Sequence, residues 1–355
     1  MLTADIDKIA EVVLYEGYML FPYTRSAIKN QQRWTFGGVY PRAYSEATGG
    51  DDPWAMQTQC LVAGNNDTRV EIQLRFLQVA DRNVFQGNGS ERLSVSFLQH
   101  GDEIYYPLEE AMERRIIAGP SEEGGDRTIR LGDLMSEPRT FAIDIASASQ
   151  EEVLFGENCI AVGTLVRETG ELRGEVEVLA EPAFPGIRIT VRVRNHTPCG
   201  VTDTDAKSRS EALRHTFVST HTILHVMDGE FISLLEPEDA FRDAAQGCEN
   251  VKTWPVLVGD RSKRHTMLSS PIILYDYPEV SPESRGNYFD ATEIDELLAL
   301  TVMTLTDEEK QEMRDSGAQS LGILERTEAL TPEQLSKLHG GLRYLDTNTR
   351  ARAAT

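Results

Sequence analysis

The chain has 355 residues, 40% of them hydrophobic, and a formal net charge of −22. This length and composition can bury a substantial core, so disorder of the whole chain is not expected. No stretch approaches the roughly 18 to 20 apolar residues of a spanning helix, and residues 1–16 lack the pattern of a signal peptide. The acidic excess disfavours phosphate backbones and anionic lipids. We therefore expect a cytoplasmic protein with no nucleic-acid partner and no membrane insertion.

The N-terminal region departs from the acidic character of the rest. Between Tyr15 and Tyr44 there are four basic residues, one acid and eight aromatics, so this segment is +3 while the remainder is −25. Arginines and aromatics without acids are typical of interface cores and of sites that grip anionic or planar groups. The residues predicted to contact a partner are Arg25, Lys29, Arg33, Trp34 and Tyr40. The alternative is a partly buried lobe whose arginine stems line the edge of the core.

Alternation of apolar and polar residues predicts antiparallel strands through the middle of the chain. In residues 69–79, one face carries Val70, Ile72, Leu74 and Phe76, and the other carries Arg69, Glu71, Gln73 and Arg75. The same alternation surrounds Arg188. We predict that each strand has one buried and one solvated face, as is common in antiparallel sheets.

Two further segments, residues 160–167 and 172–179, have the pattern of strands joined by a turn. If the second lies beside the strand around Arg188, its outward acids Glu175 and Glu177 can meet an arginine ladder that includes Arg192 and Arg194. Such cross-strand charge pairs contribute a few tenths of a kcal/mol each. We interpret both ladders as solvated structural pairing.

The strongest chemical candidate is the histidine cluster in residues 214–226. Its richness in β-branched residues predicts a strand on which His215, His221 and His225 share one face. Strand residues four apart are separated by roughly 13 Å, which is too far for His221 and His225 to share one metal ion. We therefore prefer structural histidines over a metal site and predict no cofactor.

Other signatures of chemistry are weak or missing. Asp203 and Asp205 could donate carboxylates to a hard cation, but an ordinary turn is the preferred interpretation. The four cysteines are widely spaced with no CxxC pair, which indicates scattered reduced thiols. No phosphate-binding loop, zinc-protease, nucleophile-elbow or kinase motif is present. A dispersed active site stays open, because catalytic residues need not be close in sequence.

Helix signals concentrate after residue 290. Asp290 with Glu293 predicts a helix through Leu300, residues 306–309 form a capping box, and residues 331–334 repeat that device with proline at the first helical position. We expect three short helices. Residues 279–339 contain 14 acids and 5 bases, so the exposed surface there is predicted to be acidic.

Together these patterns predict a β-rich α+β fold, with an antiparallel sheet or sandwich body and a helical C-terminal region. We divide the chain into a basic aromatic N-terminal lobe packed on the body (residues 1–68), an antiparallel β body (residues 69–278), an acidic helical region (residues 279–345) and a tail (residues 346–355).

Three segments resemble a known family. They are residues 14–30 (LYEGYMLFPYTRSAIKN), 33–41 (RWTFGGVYP) and 269–278 (SSPIILYDYP). The family they resemble consists of uncharacterised bacterial proteins encoded beside uptake-type NiFe hydrogenases. The resemblance implies an accessory role in making, assembling or supporting a hydrogenase, with a hydrogenase subunit or maturation factor as partner. It supplies no activity and no catalytic residues.

The sequence thus favours a non-catalytic accessory or scaffold protein that binds a protein partner. One alternative is a metal- or cofactor-dependent enzyme centred on His215, His221 and His225. Another is a self-assembling structural protein, since β-rich bodies often bury aromatic arms against a neighbour.

Overall fold

The computed structural model describes residues 4–16, 36–89, 92–101, 103–120, 127–156, 159–200, 206–278, 295–316 and 318–331. It confirms the predicted β-rich α+β class, with helices mostly towards the C-terminus. The strands are β1 (Ala55–Ala63), β2 (Arg69–Gln86), β3 (Leu93–Ser94), β4 (Leu98–His100), β5 (Glu103–Tyr105), β6 (Leu108–Ile117), β7 (Ile129–Arg130), β8 (Arg139–Ile145), β9 (Ala148–Phe155), β10 (Ala161–Thr169), β11 (Leu172–Ala183), β12 (Gly186–Asn195), β13 (Val218–Met227), β14 (Glu230–Ile232), β15 (Trp254–Leu257) and β16 (Thr266–Ser270). The helices are α1 (Ala4–Tyr15), α2 (Arg42–Ala47), α3 (Leu131–Ser136), α4 (Ala206–Leu213), α5 (Arg242–Gln246), α6 (Asp295–Met303), α7 (Asp307–Asp315) and α8 (Ala318–Glu328).

Two antiparallel sheets form the body. The five-stranded sheet has the order β14-β1-β12-β11-β8, and the nine-stranded sheet has the order β15-β16-β13-β2-β10-β9, with β3, β6 and β7 also paired to β2. Apolar residues of both sheets, such as Ile72 of β2 and Val191 of β12, belong to one buried cluster. The inner faces therefore pack on each other as a sandwich, and the alternation that predicted the strands also supplies this core.

Strand β2 is the centre of the larger sheet. Over its 18 residues it pairs with β13 and β10, and also with β6, β7 and β3. Its even-numbered residues from Val70 to Phe76 enter the core between the sheets, as predicted. Strands β6 and β13 pair with β2, and β16 pairs with β13.

The predicted charge ladders do lie side by side. Strands β11 and β12 are neighbours, with Glu175 opposite Arg194 and Glu177 opposite Arg192. Arg194 Nη1 donates to Glu175 Oε1 at 2.7 Å, and Arg192 Nη1 donates to Glu177 Oε2 at 2.9 Å. The arginines hold the pKa of both carboxyls below its usual range, through hydrogen bonds above all.

The second face of β2 is exposed at Arg69 and partly exposed at Glu71 and Gln73, as the alternation predicted, but it is buried at Arg75. Helix α1 packs across the nine-stranded sheet with Ile6, Ile9, Ala10 and Val13 against residues that include Ile223 and Val256. Arg75 is 1% exposed, although it belongs to the face predicted to be in water. The prediction was wrong at this position because α1, far away in sequence, covers the strand.

Three helices near the C-terminus have a small core of their own, which includes Leu298 of α6, Met313 of α7 and Leu324 of α8. The predicted capping box is present: Thr306 Oγ1 accepts from the Glu309 backbone N–H, and Glu309 Oε2 accepts from the Thr306 N–H. The predicted start at Asp290 and the helix predicted from residue 332 fall outside the described residues. Helix α8 was not predicted.

Strand β1 lies within residues 1–68, the region predicted to be a lobe packed on the body, and it pairs with β12 and β14 in the five-stranded sheet. Part of that region therefore belongs to the body. Among the helices that the structure describes, none combines the length and apolar character needed to cross a bilayer.

Candidate functional site at the β13 bulge

Strand β13 contains a bulge at the start of its pairing with β2. Val218 lies opposite Leu77 and the next pair is His221 with Arg75, so β13 advances three residues while β2 advances two. Ser219 absorbs the extra length with a φ of 53°, a left-handed conformation that is uncommon for a residue other than glycine. Bulges of this kind re-aim side chains and often lie beside functional sites.

The bulge holds both ends of the segment that contains most of the predicted contact residues. Ser219 Oγ donates to the carbonyl of Val13 at 3.2 Å, near the end of α1. The Thr220 N–H donates to the carbonyl of Gly37 at 3.0 Å. Residues 17–35, with Arg25, Lys29, Arg33 and Trp34, lie outside the described part of the chain. Adjacent residues of β13 therefore fix the chain just before and just after them.

Gly37 joins two of the three segments that carry the family resemblance. Its φ is +59°, and a Cβ built on it would lie 2.3 Å from Pro271 Cβ. Real Cβ atoms do not approach this closely, so only glycine fits the position. The structure thus brings residues 36–41 and 269–278 into direct contact on one side of β13.

Large apolar side chains are exposed beside this contact. Phe36 is 49% exposed, Ile273 71% and Tyr275 85%, and all three lie within four residues of Gly37 or Pro271. The alternate residues Ile272 and Leu274 pack against the buried cluster under α1. The loop is therefore anchored on its inner side and presents apolar groups on its outer side. We call Phe36, Ile273 and Tyr275 the apolar trio.

Tyr40, predicted as a contact residue, does not present its side chain at the surface. It is 2% exposed and its ring stacks on Tyr44, with ring centroids 5.6 Å apart. Arg209 Nη2 donates to Tyr40 Oη at 2.7 Å. In this structure Tyr40 therefore packs within the body, a few residues after the segment 17–35.

The three histidines do not share one face of a strand. His215 lies in the turn before β13, with Nε2 3.8 Å from Glu211 Oε1. The prediction placed it on the strand, but β13 begins only at Val218 and its bulge shifts the alternation. His221 and His225 do lie on β13, opposite Arg75 and Glu71.

The histidines do not form a metal centre in the described part of the molecule. His225 Nδ1 shares a hydrogen bond with Thr266 Oγ1 at 2.9 Å, and its ring meets His265 edge to face. No group of three or more His, Cys, Asp and Glu side chains that could hold a metal occurs among the residues whose positions are described. Asp203 and Asp205 lie outside those residues.

His221 has the most unusual environment of the three. Its ring is completely buried, and Nδ1 lies 3.2 Å from the Ser219 carbonyl. A carbonyl only accepts, so Nδ1 carries the proton and Nε2 carries a lone pair. Burial, followed by the nearby Arg75 guanidinium, lowers the pKa of His221 to about 3. The imidazole is therefore neutral near pH 7, and it is fully buried.

Arg75 is the residue that the sequence analysis missed. Its Nη2 lies 2.6 Å from Glu113 Oε1 on β6, and its Nη1 donates to Asp7 Oδ1 on α1 at 3.3 Å. A signal was available in residues 6–14, where apolar residues recur at helical spacing. That pattern indicates an amphipathic helix that must cover some apolar face, although the pattern does not say which one.

Together, the fold and site define a β-rich α+β protein with a two-sheet body. One strand bulge of that body holds the N-terminal helix and Gly37, and an exposed apolar loop packs against Gly37. Comparison with protein-family models, curated proteins and solved structures gives no match to this chain.

Proposed function

We propose that this chain is a non-catalytic accessory protein that binds a protein partner through the apolar trio and the neighbouring residues 17–35. The observation that carries the proposal is the exposure of Phe36, Ile273 and Tyr275 beside the tight Gly37–Pro271 contact. Exposed apolar side chains are common singly, but several of them on two segments that contact each other are typical of an interaction surface.

Charge and composition support a protein as the partner. Aromatic and arginine residues together are the usual centre of a protein interface. Arg25, Arg33 and Trp34 precede Phe36 of the trio in sequence. The basic segment contrasts with the −22 net charge of the whole chain. A partner with an apolar patch bordered by carboxylates would fit both features.

The family resemblance supports a narrower form of the proposal, in which the partner is a hydrogenase subunit or maturation factor. The four cysteines are free, as in proteins of reducing compartments, which supports a place in the cytoplasm. The role would then be assembly or support of the enzyme in the compartment where it is made.

The test is a binding measurement with a matched control. Phe36→Ser, Ile273→Ser and Tyr275→Ser are combined in one chain. Leu93→Ser, Phe97→Ser and Phe155→Ser, at three other strongly exposed apolar positions, form the control triple. Each is used to capture proteins from the native host, and affinities are then measured with the purified captured protein and with purified NiFe-hydrogenase subunits. We expect the first triple to lose at least about 30-fold in affinity and the control to lose less than about threefold.

A second variant keeps the proposal testable if the triple variant at Phe36, Ile273 and Tyr275 misfolds. Arg25→Ala with Arg33→Ala should weaken capture while the thermal midpoint stays nearly unchanged. A lowered midpoint with normal intrinsic affinity would mean that the segment is structural and that the proposal is wrong. Equal capture by both triples would also overturn it. A doubled molar mass in solution that only the first triple abolishes would instead assign the surface to self-assembly.

A further inference from the structure

A row of polar groups lies under helix α1, in which His221 and Arg75 are buried while the Arg115 and Asp7 side chains are 48% and 41% exposed. His221 of β13 lies opposite Arg75 of β2, and Arg75 lies opposite Arg115 of β6. From above, α1 supplies Asp7, whose Oδ1 lies 3.3 Å from Arg75 Nη1 and 3.7 Å from Arg115 Nη1. The same helix accepts a hydrogen bond from Ser219, two residues before His221. The helix is therefore bound to the sheet at two points, at Arg75 through Asp7 and at Ser219 through Val13.

This row is incompletely satisfied while α1 covers it. His221 Nε2, Arg75 Nε and Gln73 Oε1 are buried without a hydrogen-bond partner among the residues that the structure places. Buried polar atoms without partners destabilise the conformation that buries them. The apolar contacts of Ile6, Ile9 and Val13 with the sheet oppose that penalty. The docked position of α1 therefore depends on a balance of opposing contributions.

We propose that α1 is a pH-operated cap, released from the nine-stranded sheet when His221 takes up a proton. Release of α1 would be separate from the proposed partner binding. Release would free Val13 and hence one of the two ends of residues 17–35, while Thr220 would continue to hold the other end at Gly37.

The charges around His221 favour this direction. Arg75 and Arg115 act on it as cations. Glu113 of β6 and Asp7 of α1 are already engaged with those arginines. Glu11 of α1 also acts on Arg115. A protonated imidazole would therefore place a cation, itself fully buried, beside the buried Arg75, whose two carboxylate partners are already shared with Arg115. Its second N–H would have no acceptor among the described neighbours. Exposure to water removes both penalties.

The pH window follows from the two states. With α1 docked, the pKa of His221 is about 3 because of burial, whereas a histidine in water titrates near 6.5. Docking is therefore fully stable above about pH 6.5 and weakens as the pH falls towards 3. Between pH 7 and pH 5, release should become roughly 25-fold more favourable if opening exposes His221 completely.

The experiment is amide hydrogen exchange followed by mass spectrometry on the full chain at pH 7 and pH 5, with rates corrected for intrinsic exchange. In the wild type, we expect the protection of α1 to fall by roughly 10- to 25-fold, while β13 and β2 keep most of theirs. His221→Gln should remove the pH response of α1. His196→Gln, at an exposed histidine on the other side of the sandwich, should retain it.

Three results would overturn the inference. They are unchanged α1 protection at pH 5, the same response in His221→Gln, and equal loss of protection in α1 and β13, which would mean that His221 is exposed only by global unfolding. If His221→Gln does not fold, Asp7→Asn serves as the second variant. It should lower α1 protection at both pH values and leave the ratio between them unchanged, because His221 is intact; a changed ratio would contradict the assignment to His221.

Discussion

At the residue scale, Gly37 shows how one position sets the geometry of the proposed surface. Its backbone lies against Pro271, and its carbonyl accepts from the Thr220 N–H. The contact with Pro271 needs the missing side chain, and the φ of +59° is a backbone conformation that favours glycine. The sequence shows the pair Gly37-Gly38 in a distinctive segment, but the reason for the glycine is a proline more than 200 residues away, which no local pattern can reveal.

Gly37→Ala should therefore destabilise the protein strongly. Alanine at a φ of +59° costs about 1 to 2 kcal/mol, and the 2.3 Å approach of its Cβ to Pro271 adds about 1 to 3 kcal/mol. Gly49→Ala is the matched control, because Gly49 has a φ of +76° and open space around it. Urea unfolding should show a loss at Gly37 at least about 1 kcal/mol larger than the loss at Gly49. Equal losses would mean that the loop shifts freely and that Gly37 does not fix the trio.

At the element scale, the strands were predictable, whereas the sheet face that helix α1 covers was not. The alternation from Val70 to Phe76 is local and identified β2 and its buried face. The burial of Arg75 depends on which sheet α1 docks against, a long-range choice that depends on shape and on Asp7. The bulge at Ser219 likewise depends on register with β2, so the sequence placed His215 on a strand that it precedes. Most of the fold class was therefore predictable, and much less of the site.

The capping box of α7 is an element-scale prediction that the structure confirms, and its energetic contribution can be measured. Thr306→Ala removes the hydroxyl that accepts from the Glu309 N–H, which should lower the stability of the C-terminal helices by about 1 kcal/mol. Thr304→Ala, two residues earlier and outside the cap, should lower it by less than about 0.5 kcal/mol. Hydrogen exchange of residues 307–315 measures both. A Thr306 effect no larger than the Thr304 effect would show that packing around Met313, rather than the cap, holds this helix.

At the scale of the whole molecule, the dominant feature is the excess of 57 acids over 35 bases. Like charges repel over distances that salt screens, with a Debye length of about 10 Å at 0.1 M. The ion pairs between β11 and β12 are attractive, so salt weakens them, but surface pairs contribute only about 0.2 to 1 kcal/mol each. Added salt should therefore stabilise the protein, because it screens the net repulsion more than it weakens the ion pairs.

Raising sodium chloride from 0.02 to 0.5 M at pH 8 should raise the thermal midpoint by about 2 °C or more, as expected for a gain on the order of 1 kcal/mol. The same increase at pH 5.5 should have a smaller effect, since protonation begins to remove the excess negative charge. Differential scanning fluorimetry at both pH values checks this. A midpoint that falls with salt at pH 8 would mean that the ion pairs of the ladders outweigh the net repulsion.

The long sequence separation between β2 and its partner β13 affects how the chain folds during synthesis. Val70 pairs with Val226, so the partner of this central strand emerges from the ribosome roughly 10 to 30 seconds later at ordinary rates of synthesis. Strand β6 can protect one edge of β2 early, because it follows soon after in the chain. The edge that β13 will occupy stays open, with Ile72 and Leu74 beside unpaired backbone groups. Nascent chains that end before residue 218 should therefore engage chaperones or associate with one another through that edge.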